Sequence, residues 1–198
     1  MRRFISRIAA LAALILLIAA LGSCVGPSQN NLMRADEVGQ PPVVFPTMAV
    51  ANLNGTSFQF PETFQGAQTL ILFGFEYAHQ VNLDAWIAAA EPLKKDHPKF
   101  KLFEMVVIEE ASVFYRWYVN NAKRYFIPDP ASRLRNLNLY APKAAFLKQM
   151  AMPDEKRIYC ILFDQNGKER WRADGALTKE KLAELVRLLD QSPSDAAG

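Results

Sequence analysis

The run Thr69-Leu70-Ile71-Leu72-Phe73-Gly74-Phe75 is almost continuously apolar. Such a run fits a strand covered on both faces rather than one with a wet side. Phe100 to Ile108 and Ile158 to Phe163 repeat the pattern. Between the first two runs, residues 81–95 carry Leu83, Trp86, Ile87 and Ala90 at helical spacing, with Pro92 placed to bend or end that helix. Ser112 is placed to cap a helix running to about Arg124, and Ala144 to Met150 predicts a short helix. Asn52-Leu53-Asn54-Gly55 is a turn signal joining short strands at Met48–Ala51 and Ser57–Phe60. Asp164-Gln165-Asn166-Gly167 is a hairpin turn into a return strand, Lys168 to Ala173. Thr178 reads as an N-cap, with Leu177 and Leu182 as a hydrophobic staple. Leu182, Leu185, Val186 and Leu189 form the stripe of a last helix. The predicted order is β-β-β-α-β-α-(α)-β-β-α, an α/β domain with a central parallel pair.

The N-terminus follows another logic. Arg2, Arg3 and Arg7 precede 14 consecutive apolar residues, Ile8 to Leu21. A spanning helix needs roughly 20, so the segment suits a secretory h-region. It ends in Leu21-Gly22-Ser23-Cys24. That ending resembles a bacterial lipobox, which implies cleavage after residue 23 and acyl chains on Cys24. A signal peptide cut without lipidation, or an uncut anchor, are the alternatives. Val25 rather than Asp follows the cysteine, so nothing here selects an inner over an outer membrane. Residues 24–42 are polar and rich in Gly and Pro and read as a tether. Residues 43–190 are the expected domain, and 191–198 a frayed tail.

Removing residues 1–23 removes three arginines and no acid, leaving 20 basic and 20 acidic residues. The sequence pI near 8.9 therefore belongs largely to the signal. A neutral chain gives no electrostatic reason to expect nucleic-acid binding. With Cys24 lipidated, Cys160 is the one remaining thiol, and it sits in an apolar strand. A small buried hydrophobe is the expected role. The alternative is a lone peroxidatic thiol, which needs exposure and a nearby cation.

Three stretches resemble known proteins. Asn52-Leu53-Asn54-Gly55, Phe64-Gln65-Gly66 and Leu70-Ile71-Leu72-Phe73 resemble the opening of peroxiredoxin-type thioredoxin folds. Phe163-Asp164-Gln165-Asn166-Gly167-Lys168 resembles the hairpin after their fourth strand. Phe126-Ile127-Pro128, Leu147 to Pro153, Tyr159 to Asp164, Gly167 to Trp171 and Gly175-Ala176-Leu177-Thr178 are similar to a mitochondrial family. That family assembles the membrane sector of ATP synthase. The resemblance implies a thioredoxin-like domain, a mixed sheet with flanking helices and a C-terminal hairpin and helix.

The chain departs from the redox pattern of that fold. Where Cys-x-x-Cys would open the first helix stand Ala78 and Val81, and Ile158 stands where a proline precedes the next-to-last strand. No catalytic residue, metal site or cofactor is therefore expected. A Glu76–His79 acid–base pair is the sharpest catalytic alternative, and a soft-metal site is disfavoured without the cysteines. His97 lies in a charged loop and is expected to face solvent.

Partner-binding candidates are Glu76, Tyr77, His79 and Gln80 at the vacated redox position, and Arg170 and Arg172. The arginines are expected to share one face of the return strand opposite Trp171. Phe114, Tyr115, Trp117 and Tyr118 crowd one helix. Phe114, Trp117 and Tyr118 are expected in the core with Tyr115 outward, an exposed patch for a partner being the alternative.

These readings imply an extracytoplasmic, lipid-anchored, redox-inactive binding protein of the cell envelope, with a protein client such as a membrane-complex subunit. A divergent peroxiredoxin-like or thiol-disulfide oxidoreductase is the rival, and an envelope lipoprotein without a dedicated client is a third.

Overall fold

A computed structural model describes residues 42–191. The expected signal, Cys24, most of the tether and the tail lie outside the described residues.

Among the described residues, seven strands and five α-helices follow one another. Strands β1 (Met48–Ala51) and β2 (Ser57–Phe60) form an antiparallel ribbon. The main sheet holds β3 (Gln68–Gly74), β4 (Phe100–Ile108), β5 (Asn136–Tyr140), β6 (Tyr159–Phe163) and β7 (Glu169–Asp174), in the order β5-β4-β3-β6-β7. β3, β4 and β5 run parallel, and β6 and β7 antiparallel to their neighbours. The helices are α1 (Gln80–Ala90), α2 (Val113–Phe126), α3 (Pro130–Arg135), α4 (Lys143–Gln149) and α5 (Lys179–Asp190). α1 ends in a short 3-10 segment, Glu91–Lys95, where Pro92 lacks an amide hydrogen.

Both faces of the sheet are covered, which is why its central strands are mostly apolar. One face packs Ile71, Phe73 and Phe163 against the β1–β2 ribbon, Phe45, Phe64 and α4. The other packs Leu70, Leu72, Cys160 and Trp171 against α1 and α5. Leu83, Trp86, Ile87 and Ala90 are the buried stripe of α1, as their spacing predicts. Trp86 meets Trp171 edge to face, and its indole N–H donates to the Gly175 carbonyl at 3.2 Å. Gly74 has a packing reason: a Cβ there would lie 2.8 Å from Leu83 Cδ1, so any larger residue would displace that side chain of α1. Ser112 and Thr178 cap α2 and α5 as expected. On α5 the buried stripe is Leu185, Leu188 and Leu189 rather than one including Leu182 and Val186, both of which are half-buried.

The structure adds α3 and β5 to the predicted order. Asp129 caps α3 by accepting from the amides of Ala131 and Ser132, with Pro130 in the first turn. β5 alternates Asn-Leu-Asn-Leu-Tyr. Leu137 and Leu139 join the ribbon-side core, and alternation turns Asn136, Asn138 and Tyr140 to the opposite face, under α2.

That polar face overturns the expected orientation of α2. Phe114, Trp117 and Tyr118 do not enter the core, and α2 has no fully buried residue. Its polar side turns inward instead. Asn120 Oδ1 accepts from Asn138 Nδ2 at 2.7 Å and from the Tyr140 hydroxyl at 3.0 Å. Lys123 Nζ donates to Asn138 Oδ1 at 2.7 Å, and Arg124 Nε donates to the Leu53 carbonyl. The Arg116 guanidinium lies 5.1 Å over the Tyr140 ring. Beneath sits Glu104, which is buried. Burial holds its carboxyl above the usual range against the pull of the Lys123 charge, and burial lowers the Lys123 ammonium to about 8. Aromatics inside would have stranded these sheet groups without partners.

Candidate functional site

Parallel strands bring their carboxyl ends to one edge of a sheet, and the loops leaving them form the natural site of an open α/β fold. Here the loops after β3, β4 and β5 meet at that edge. Lys143 ties them together. Its backbone N–H donates to Glu109 at 3.4 Å, and its ammonium pairs with Glu155 at 2.8 Å and reaches the Phe75 carbonyl at 3.4 Å.

The segment that a redox pair would occupy is a single 3-10 turn, Tyr77–His79, leading into α1. Glu76, Tyr77, Ala78 and Val81 are exposed, and Tyr77 is 95% accessible. Gln80 is half-buried, and its amide donates to Asp84 at 2.9 Å. His79 departs from expectation: it is buried. The Phe75 amide donates to its Nδ1 at 3.1 Å, and the ring lies edge-on to Phe75. An accepting Nδ1 carries no proton, so the hydrogen sits on Nε2. Nδ1 is thus committed to Phe75 rather than to the Glu76 carboxylate, and the expected acid–base alternative has no such contact here. The histidine ties the end of β3 to the start of α1, and Tyr77 is the side chain that faces outward. His79→Ala is expected to cost about 1–3 kcal/mol by leaving the buried Phe75 amide unpaired. A thermal melt with no downward shift would refute this.

The arginine pair is also rearranged. β6 and β7 lose register between Leu162 and Phe163, with Trp171 opposite Leu162 and Glu169 opposite Phe163. Arg170 is the extra residue of this bulge. Trp171 packs on the α1–α5 side, whereas Glu169 and Arg172 oppose Phe163 and Ile161, whose side chains belong to the ribbon-side core. Arg170 reaches Gln68 Oε1 at 2.6 Å, and that amide in turn reaches the Leu189 carbonyl of α5. Arg172 donates to Glu169 and to the carbonyls of Ala151 and Met150, at 2.9 and 3.1 Å. The two arginines do not form one patch, and the Arg172 donors are spent inside the fold.

Cys160 is fully buried in β6, and burial pushes its thiol well above the ordinary range. It is the only cysteine among the described residues. His97 is partly buried beside Asp190, 3.6 Å away, rather than facing solvent. Among the described residues no group of three or more His, Cys, Asp or Glu is placed to hold a metal ion. None of the described helices is long and apolar enough to cross a membrane.

The sheet order, the flanking helices and the site at the head of α1 define a thioredoxin-like α/β fold. Solved structures agree. A secreted thiol-disulfide isomerase from Corynebacterium glutamicum superposes with a TM-score of 0.56 at 14% identity, over 84% of this chain and 96% of its own. A DsbF homologue from Corynebacterium diphtheriae gives 0.54 at 14% identity, over 82% and 96%. The pneumococcal exposed lipoprotein thioredoxin Etrx1 from Streptococcus pneumoniae gives 0.50 at 10% identity, over 73% and 98%. At these identities the likeness is one of fold. No family model and no curated protein matches the chain.

Proposed function

We propose that the chain is a membrane-anchored thioredoxin-fold binding protein that holds a protein client and performs no thiol–disulfide exchange. The observation that carries this is the head of α1. Ala78 and Val81 stand where the fold places its redox pair, and the one cysteine among the described residues lies buried in β6. A thiolate is the nucleophile of that chemistry, and Cys160 meets neither its exposure nor its ionisation. Anchoring rests on the Leu21-Gly22-Ser23-Cys24 segment, and a lipoprotein of this fold exists in the pneumococcal thioredoxin. Such an anchor would hold the domain on the extracytoplasmic, periplasmic side of a bacterial membrane, inner or outer. The resemblance of residues 126–178 to the ATP synthase assembly family makes a subunit of a membrane complex the client to look for first. The exposed Tyr77, with Glu76 and Gln80 beside it, is the contact surface at the fold's usual meeting point.

The rival reading, a divergent oxidoreductase, draws on the names of the solved neighbours. Insulin reduction and peroxide turnover separate the two. The purified full-length protein is expected to match the uncatalysed rate in both assays, and Cys160→Ser to change nothing. Thiol-dependent turnover that vanishes in Cys160→Ser overturns the proposal. In parallel, crosslinking in membranes is expected to lose its client in Tyr77→Ala. Loss of a central contact costs about 2 kcal/mol, near thirtyfold in affinity. An unchanged client set removes this surface.

A further inference from the structure

α2 is built inside out. Soluble helices bury their apolar stripe; this one turns Asn120 and Lys123, half-buried, inward against Asn138 and exposes its rings. Phe114 (75% accessible), Trp117 (60%), Tyr118 (60%) and Tyr125 (82%) stand on the outward side. Phe114 and Trp117 are stacked at 6.0 Å. The orientation is dictated from beneath, because the sheet side of the contact is polar as well. A helix rotated to hide its rings would set them against Glu104, Asn136 and Asn138. The outward rings are thus a feature of the fold and not a loosely packed segment.

We propose that this face lies on a lipid bilayer, with α2 flat in the headgroup region. The inference rests on the anchored reading above. Three observations favour lipid over a protein partner or a second copy. The outward face carries Trp, Tyr and Phe and no charged side chain. Trp and Tyr, with an apolar body and a polar tip, are the residues that settle at a membrane interface. The cations of α2 are engaged within the protein, Lys123 on Asn138, Arg124 on Leu53, and the partly exposed Arg116 over the Tyr140 ring and beside Glu110, so the docking is chiefly apolar rather than driven by lipid charge. Lastly, the chain outside the described residues supplies the proximity. From Cys24 to Pro42 the polar segment is 19 residues long. A polar linker of that length reaches on the order of 25 Å. A lipid-anchored domain so held meets the bilayer continuously, and its exposed apolar face partitions first.

The protein carries its own probe. Of its three tryptophans, Trp86 and Trp171 are fully buried and Trp117 is exposed. The lipidated full-length protein is reconstituted into phosphatidylethanolamine–phosphatidylglycerol vesicles, with and without brominated acyl chains, and floated. Trp117 fluorescence is expected to be quenched by the brominated chains and shielded from aqueous iodide, the signal disappearing in Trp117→Phe. Phe114→Ser and Tyr125→Ser are each expected to lower the docked-to-undocked ratio about tenfold, without loss of flotation. Flotation abolished by Cys24→Ala reports the anchor separately. Protein that floats while Trp117 remains open to iodide overturns the docking proposal and leaves the anchor standing. Shielding from iodide without quenching by bromine, in any oligomeric state, assigns the face to protein and equally overturns it. Protein that fails to float with Cys24 intact overturns the anchored reading.

Discussion

Arg172→Ala is expected to lower the free energy of unfolding by about 3–5 kcal/mol, the largest loss among the surface-strand positions. The side chain is only 11% exposed and Glu169 only 1%. Both Glu169 oxygens are held by Arg172. One of them also accepts weakly from the Val43 amide at 3.3 Å. Truncation leaves a buried carboxylate nearly alone and frees the carbonyls of Met150 and Ala151. Ala151 has a positive φ of 49°, a conformation that a non-glycine residue holds only with support. Arg170→Ala removes one hydrogen bond, to Gln68, and is expected to cost about 1 kcal/mol. The double variant Arg172→Met/Glu169→Gln should recover part of the loss, since removing both charges spares the desolvation penalty. Urea unfolding of the four proteins decides it. Equal, small losses for Arg170→Ala and Arg172→Ala would return the pair to the role of a partner surface.

The second large effect is on pH dependence, through the polar seam under α2. Burial raises the Glu104 carboxyl, so between about pH 4.5 and that raised value the folded chain binds more protons than the unfolded one. Stability therefore falls as pH rises through this window. Lys123 acts on the other side. Its folded value is about 8 against 10.5 in the reference state, so the unfolded chain binds more protons from about pH 8 upward, and stability recovers there. Glu104→Gln is expected to flatten the first slope. Lys123→Met removes the charge that draws Glu104 down, which lifts the carboxyl further and extends the fall to higher pH. Melting temperatures from pH 4 to 9 report all three. A Lys123→Met profile parallel to wild type would show that the two groups are not coupled.

Most of the fold was legible because the buried strands are apolar at successive positions and their turns carry strong residues. Met48–Ala51, Ser57–Phe60 and Phe100–Ile108 coincide with their predicted limits. What escaped detection involved polar residues in buried places. β5 alternates, but its Asn136 and Asn138 interrupt the apolar run by which a buried strand is recognised. Asp129-Pro130 was an available signal for α3. Missing β5 also reversed α2, because spacing tells which residues share a helix face and not which face turns inward. That choice belongs to the sheet beneath. Arg170 and Arg172 were placed together by alternation, which holds only in the absence of a bulge. His79 was read as a surface group because sequence gives a ring nitrogen no partner. Tyr77, Glu76 and Gln80 were placed correctly at the head of α1, since the preceding strand fixes that position.

The chain entering the domain ends in a clasp. Val43 accepts from the Glu169 amide, the Phe45 amide donates to Gly167, and Val44 bridges Lys168. At the far side of the sheet, Asn52 bridges Leu137 and the Leu53 amide donates to Asn136. Each outer strand is thus partly occupied by a segment of the same molecule. An open strand edge is a template for pairing with another chain, and copies tethered to one surface would be crowded in two dimensions. With both margins partly taken, neighbouring copies have less free backbone to zip together, which works against polymer even under crowding. A chain trimmed to begin at Met48 would lose the first of these guards along with Phe45, and is the form in which aggregation should first appear.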